Sequence, residues 1–399
     1  VEWVKYEGEM NLPIKSWCKD LPYNALQQAI NLSMHPVMFH HISLMPDSHF
    51  GCGVPIGCVM ACKDAIIPNA VGSDISCGMR SVKTTLHVKS FYNKSTIRKI
   101  LDIIKQKVPV GNKWHNKPQE NRLVLPGTMH KVTSREEGNI DRQLGTLGGG
   151  NHFIELQAGD DDHIWFTIHC GSRNFGKRVC DHYNNEAKKL NKRWHSSVNE
   201  KWDLAFLPIG TYEARAYIEE MKVAMAFAFE NRRLISERIK EAFTDVIDCS
   251  FYDDLDINHN YATVENHFGQ NVWVHRKGAI CVRKGQKGII PGSMGTSSYI
   301  VEGLGNPDSF NSCSHGAGRS MGRLEASRTL NPVECNKSMD GIIFDGWGTN
   351  RKGEIDLGEA PEAYKNIEDV MHLQEDLVKP IVKLKPLGVV KAIDKGRQK

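Results

Sequence analysis

Residues 163–176 read HIWFTIHCGSRNFG. The run from Ile164 to Ile168 is apolar, β-branched and aromatic, the mark of a buried strand. It ends in a histidine, His169. The loop CGSRNFG follows, and residues 177–193 then carry a helical pattern. Working outward, residues 24–34 (NALQQAINLSM) and 95–108 read as helices upstream. Downstream, residues 212–243 form the longest helical pattern, with Ile218, Met221, Met225, Phe229 and Ile235 at apolar positions. That stretch is expected to be a packed scaffold helix. From 251 to 303 the texture changes to short β-rich segments between glycine turns. Residues 330–358 show no clear period and read as a long surface insertion. A helix is expected over 361–378, opened by Pro361, and the tail KAIDKGRQK reads as basic and solvated.

Helical and β segments do not alternate as βαβ units. The fold class is therefore α+β, with mixed and antiparallel sheets. No low-complexity linker or internal repeat divides the chain, so residues 1–399 are read as a single domain.

Composition narrows the function. The net charge is only +4 over 399 residues, so a nucleic-acid partner would need a local basic surface. No apolar run is long enough to span a bilayer, and no signal segment opens the chain. The eleven cysteines form no disulfide-like frame, which suggests reduced thiols and a cytoplasmic protein. The chain begins at Val1, and a few residues are expected to precede it.

The chemistry-bearing stretches are short. Ser314 to Arg319 read SHGAGR, with Arg323 four residues on. A histidine between glycines and arginines suits a metal ligand, a general acid, or a nucleophile for phosphoryl groups; a tight turn that happens to contain a histidine is the plain alternative. Five more stretches share this character: MPDSHFGCG (45–53), VGSDISCGM (71–79), LGTLGGGNHFIE (144–155), IHCGSR (168–173) and INHNY (257–261). Asp74, Cys77, His152, His169 and His259 make a competent shell for divalent transition ions, and a thiolate can bridge two of them. Any one of these histidines alone is better read as a satisfied structural residue. Together, each beside Gly, Asn or Arg, they favour a site. The run Gly148–Asn151 and residues 291–298 (PGSMGTSS) could present backbone N–H groups to phosphate, but neither is a Walker loop. Cys52, Cys58, Cys62, Cys170 and Cys313 are expected to be buried thiols.

These motifs, with RKGA at 276–279, occur in this order in the RtcB RNA-splicing ligases, which the chain resembles from about residue 15 to residue 392. The resemblance implies one large domain built around a central metal site with peripheral helices. It implies two Mn²⁺ ions on Asp74, Cys77, His152, His169 and His259, and GTP as co-substrate. His315 is then the nucleophile that becomes guanylylated. Asn151, Glu155, Asn260, Ser293, Ser298, Tyr364 and Lys391 are implied at the nucleotide. Asp47, Arg173, Lys277, Arg319 and Arg323 are implied along the active site or RNA path. The implied reaction joins RNA ends bearing a 2′,3′-cyclic phosphate or 3′-phosphate to 5′-hydroxyl ends, through His–GMP and an RNA 3′-pp-5′-G end. Archease is an activating partner of some members, and no membrane partner is implied.

The chain departs from the family in places. Ser73 and Ser76 stand where Val and Gly are more frequent, and Asn174 and Phe175 where small residues are. The competing readings are a metal-dependent RNA phosphoesterase without guanylylation and a silent RNA-binding paralogue. The motif residues are all present, which favours the ligase.

Overall fold

A computed structural model of the chain describes residues 1–399 except Tyr92, 127–129, 350–352 and 394–399. Most of the basic tail therefore lies outside the described residues. Two sheets form the frame. The first has six strands in the order Trp3–Lys5, Ile14–Ser16, Met38–His49, Ile56–Cys62, Gln270–Lys277 and Asn260–His267. Its second and third strands run parallel and its other neighbours antiparallel. The second has seven antiparallel strands: Phe251–Asn258, Gly78–His87, His163–Cys170, Phe153–Gly159, Val378–Lys391, Ser298–Gly303 and Lys287–Ile290. This sheet is nearly closed. Across the gap between its edge strands, Lys287 Nζ lies 3.9 Å from Asp253 Oδ1. With its helices the chain is α+β.

Period-two alternation decides what each sheet face meets. On His163–Cys170, Ile164, Phe166 and Ile168 pack with Ile100, Leu101, Ile239 and Phe243. Those partners lie on the helices Lys94–Lys107 and Tyr212–Thr244. Trp165 turns the other way, into a core shared with Val59, Ala61, Val272 and Val274 of the first sheet. The two sheets thus pack face to face, and His169 lies on this inner face, in step with Trp165. On Ile56–Cys62, the alternate residues Cys58, Met60 and Cys62 pack with Ala29 and Leu32 of the helix Tyr23–Ser33. The helices Lys131–Gln143 and Arg173–Arg193 and the first half of Tyr212–Thr244 share a further core.

Several expectations need revision. The 361–378 helix does not form. A 3₁₀ turn at Pro361–Ala363 and a short helix Ile367–His372 precede the long strand Val378–Lys391. Alternating burial at Val382, Lys383, Leu384 and Lys385 was the missed signal, hidden by Pro380 and Pro386. Both prolines sit beside register shifts, where a strand tolerates a missing N–H. Lys391 therefore ends a strand. The helix after His169 starts at Arg173, four residues early. Cys52 is exposed, whereas Cys58, Cys62, Cys170 and Cys313 are buried, and every cysteine is free. Residues 330–358 are not a mere surface insertion, because Phe344, Trp347 and Asp356 wall a cavity described below. Among the described residues, no helix is long and apolar enough to cross a membrane.

Candidate active site

The site forms where strands end and where the chain passes between sheets. Asp74 and Cys77 precede the strand Gly78–His87; His152 precedes Phe153–Gly159; His169 is the last residue but one of His163–Cys170. His259 is the single residue between Phe251–Asn258 of one sheet and Asn260–His267 of the other. Cys77 Sγ lies 3.4 Å from His152 Nε2 and 3.3 Å from His169 Nε2. His169 Nε2 is 3.0 Å from His259 Nε2, and His152 Nε2 is 2.9 Å from Asp74 Oδ2. The donor atoms form two overlapping groups, Cys77–His169–His259 and Asp74–Cys77–His152, each within 4.8 Å, and Cys77 belongs to both.

Each imidazole is oriented through its other nitrogen. Nδ1 of His152 meets the Leu147 carbonyl at 2.9 Å, and Nδ1 of His169 meets the Asn151 carbonyl at 3.2 Å. Nδ1 of His259 meets Asn260 Oδ1 at 3.2 Å. Donation from Nδ1 leaves the Nε2 lone pair directed into the cluster, the usual arrangement around a bound metal. Burial and the neighbouring Asp74 push the Cys77 thiol up to about 12. Burial would raise Asp74 as well, but His152 and Arg173 hold it below the ordinary carboxyl range. A thiolate here therefore requires a cation beside it, which is what a metal supplies. Three imidazoles, a thiol and a carboxylate fit a borderline transition ion.

The long helix braces this cluster, a role its apolar pattern did not reveal. Arg232 is fully buried, its Nε 2.6 Å from Asp256 Oδ1. It also donates to the carbonyls of Ser76 at 3.0 Å and Cys170 at 2.9 Å. Asn231 exchanges hydrogen bonds with the Thr146 main chain at 3.1 Å and donates to Gly171 O at 3.2 Å. One helix turn thus ties down the segments carrying Cys77, His169 and His152.

His315 stands beside the cluster but outside it. It directly follows the strand Ser312–Ser314, and its ring centroid is 4.7 Å from that of His259. Its Nδ1 lies 2.6 Å from Asp47 Oδ2, and the same oxygen accepts its backbone N–H at 3.2 Å. Asp47 is fully buried. Asp47, expected along the active site or RNA path, is thus the residue that orients His315. The carboxylate accepts a hydrogen bond from Nδ1–H and so leaves the lone pair on Nε2, as in a catalytic triad. Gly318, at φ +74°, lets the chain close on Asp47; a Cβ there would sit 2.3 Å from the Asp47 carbonyl.

A second concentration of charge lies in a cavity of about 840 Å³ lined by Gly149, Gly150, Arg173, Arg323, Glu359 and Lys391, among others. Its hub is Glu359. Oε1 lies 2.6 Å from Arg323 Nε and 3.4 Å from Arg319 Nη1. Oε2 accepts from Tyr364 Oη at 2.6 Å and lies 3.1 Å from Lys391 Nζ. Burial opposes the charge, yet Lys391 and Arg323 hold Glu359 down at about 2. Sequence reading missed Glu359: nothing in the spacing of GEAPEAYK ties it to arginines some forty residues earlier.

The remaining expected residues fall out as follows. Glu155 is buried on the inner face of its sheet, and burial raises it to about 8. It ends a hydrogen-bonded row, Ser81–Thr167–Gln157–Glu155, with each link 2.6 Å long. Gln157 was also missed, although its period-two spacing from Glu155 places both on one face. Ser293 and Ser298 fold the 291–298 turn through Thr296 and Gly292, and Met294 of that turn reaches the cavity. Asn151 is exposed and gives its carbonyl to His169. Arg173, at the start of its helix, reaches the Gly111 carbonyl at 3.1 Å and Thr146 Oγ1 at 3.3 Å.

Asn260 and Lys277 are committed elsewhere. Asn260 commits its side chain to His259, to the Asp74 carbonyl at 3.1 Å and to Gly278 N at 2.9 Å. It thereby braces the cluster. Lys277 is buried and donates to the carbonyls of Cys52 at 2.6 Å and Asn69 at 3.0 Å. Two of its three ammonium N–H groups are thus committed to main chain.

Comparison with known proteins adds an independent finding. The family model described as tRNA-splicing ligase RtcB matches residues 28–134 and 115–392. The RNA-splicing ligase RtcB of Escherichia coli K12 is 36% identical, over 96% of this chain and 98% of its own length. The tRNA-splicing ligase RtcB of Methanococcus maripaludis is 31% identical, over 97% and 96%. The RNA-splicing ligase RtcB of Mycobacterium tuberculosis is 30% identical, over 91% and 100%.

Proposed function

Because the chain belongs to the RtcB family of RNA ligases, we propose that it is a GTP- and Mn²⁺-dependent ligase. It joins RNA 2′,3′-cyclic phosphate or 3′-phosphate ends to 5′-hydroxyl ends. Residues 1–399 act as one catalytic unit, since the site draws on both sheets. Asp74, Cys77, His152, His169 and His259 would hold two Mn²⁺ ions, and Cys77 belongs to both donor groups. When bound, the metal withdraws charge from phosphoryl oxygens near it.

The chain's own residues do the rest. Asp47 accepts a hydrogen bond from Nδ1–H of His315 and holds the proton on that nitrogen, so Nε2 attacks the α-phosphorus of GTP. The phosphorus–oxygen bond to pyrophosphate breaks, and His315 carries GMP. After the cyclic end is opened by water, an RNA 3′-phosphate oxygen attacks the same phosphorus and frees His315, giving the 3′-pp-5′-G end. The 5′-hydroxyl then attacks the RNA phosphate and GMP leaves. Splitting the displacement in this way replaces one hard step with easier ones. Glu155, Tyr364, Lys391, Ser293 and Ser298 hold the nucleotide, and Asn151 lies near its phosphates. Arg173, Arg319 and Arg323 face phosphoryl charge.

The observation that carries this reading is the Asp47–His315 pair, oriented like a nucleophile and placed beside a complete donor cluster. It also favours a ligase over a phosphoesterase, which needs the cluster but not a separately oriented imidazole. Labelled GTP with Mn²⁺ should leave GMP on wild-type protein and none on His315→Ala. Equal labelling of the two, or labelling of neither, removes the nucleophile.

A further inference from the structure

A groove lies against the loop that follows Asp47 and His49. Its volume is about 720 Å³, and Tyr23, Asn24, Gln27, Asn31, Phe50 and Trp202 line it. The helix Tyr23–Ser33 forms one wall and the loop 50–53 the other. That loop follows Asp47, Ser48 and His49 in the chain, so one wall of the groove is built directly after the residue that orients His315. The walls are fixed to each other. Gln28 donates to the Gly51 carbonyl at 2.6 Å and accepts from its N–H at 3.2 Å. Lys277 and Asn69 hold the Cys52 carbonyl from beneath, and Asn69 also holds the Asp203 carbonyl at 2.9 Å. The groove is therefore preformed.

Its chemistry is that of a single-strand track. Tyr23 is 80% and Phe50 53% exposed. Single exposed aromatics are ordinary, but these two share one groove with a tryptophan and a row of side-chain amides. Beyond the 3₁₀ turn Glu200–Trp202 lies a cavity of about 610 Å³ that shares Asp203 with the groove and contains Lys188, Lys189, Lys192 and His195. Lys188 pairs with Asp203 and Lys189 with Glu186. Lys192 and Lys201 have no carboxylate partner among the described residues. Stacking faces followed by free ammonium groups suit bases followed by a phosphate backbone.

The direction of approach selects the strand. In an in-line displacement the incoming oxygen and the leaving group lie on opposite sides of phosphorus. The Glu359 cavity, where the preceding reading places GMP, shares no lining residue with this groove. Resting on that reading, we infer that the groove bounded by Tyr23, Phe50 and Trp202, with the lysine cavity beyond it, holds the RNA strand that ends in the 5′-hydroxyl.

The test uses the full chain with two double variants at exposed positions, Tyr23→Ala with Phe50→Ala and Lys192→Glu with Lys201→Glu. Binding of a short single-stranded oligoribonucleotide with a 5′-hydroxyl and a 3′ fluorophore is read by anisotropy. His315 guanylylation, GMP transfer to a 3′-phosphate strand, and ligation rate against 5′-hydroxyl strand concentration are measured in parallel. Each double variant should weaken oligonucleotide binding, and raise KM for that strand, about tenfold or more. Guanylylation and GMP transfer should stay near wild type. The lysine pair should also flatten the salt dependence of binding, and the aromatic pair should not. Unchanged affinity in both variants overturns the groove. A loss confined to GMP transfer onto the 3′-phosphate strand overturns the choice of strand. If wild type forms no His–GMP while the variants still lose oligonucleotide affinity, the ligase reading falls and the groove stands.

Discussion

The two charged clusters near His315 are opposite in kind. Around Cys77 the protein gathers three imidazoles, a thiol and a carboxylate, and burial with the neighbouring Asp74 keeps the thiol up at about 12. Around Glu359 it gathers two arginines, a lysine and a tyrosine on one carboxylate of its own, which holds three cations with a single negative charge. The first is complete only when a cation arrives from outside. The second already contains an anion, so an incoming phosphate must compete with Glu359 or share its cations. Low local dielectric sharpens both demands. An unmatched donor cluster selects for a metal; a matched ion cluster holds cationic side chains in place for an anionic ligand.

The largest effects should come from the unmatched cluster. Changing partners around a ligand costs about 10–100-fold in metal affinity, so Cys77→Ser, which removes the atom common to both donor groups, should cost at least on the order of 100-fold. Isothermal titration with Mn²⁺ checks this, with loss of GMP labelling after chelation as the parallel readout. Wild-type affinity in Cys77→Ser would show that the thiol is a bystander and that the two clusters differ less than argued.

Glu359→Gln tests the matched cluster and should act more gently. Without its anion, Arg319, Arg323 and Lys391 repel one another and lose their fixed positions. KM for GTP should rise about tenfold with a smaller change in kcat, because binding geometry is lost while His315 keeps Asp47. The acid limb of stability gives a second check. The folded protein holds Glu359 at about 2, below its unfolded value. Its contribution is fully present above about pH 4.5 and is lost as pH falls toward 2. Glu359→Gln should therefore lose less stability than wild type across that interval in acid-denaturation curves.

The same contrast explains what the sequence disclosed. Every donor of the first cluster sits in a short motif rich in Gly and Asn, because a strand end must turn sharply there, and such motifs are conspicuous. His169 was legible from its own strand, since an apolar run ended on it. Glu359, Arg232 and Gln157 were not, because each acts through a partner distant in the chain or on another strand. Arg232 lies inside an amphipathic helix pattern that any packed helix would show. The strand Val378–Lys391 was misread for a related reason: two prolines masked an alternation that only pairing with Phe153–Gly159 and Ser298–Gly303 makes sense of. Local chemistry showed in the sequence, whereas long-range bracing did not.

The smallest expected effect separates geometry from chemistry within the first cluster. Ser76, beside Cys77, has φ +56°, in the left-handed region that favours glycine. A side chain there costs roughly 1–2 kcal/mol, while glycine would add about 0.4–1 kcal/mol of unfolded-state entropy. Ser76 Oγ also accepts from Asn258 Nδ2 at 3.2 Å, which recovers part of the strain. Ser76→Gly should therefore stabilise the protein by at most about 1 kcal/mol in a denaturant titration. Mn²⁺ affinity should stay close to wild type, because Arg232 holds the Ser76 carbonyl and Asn260 O accepts the Ser76 N–H whatever the side chain. A large change in metal affinity with little change in stability would mean that the serine sets the donor geometry, and that the cluster is tuned by its own loop more than by the helix behind it.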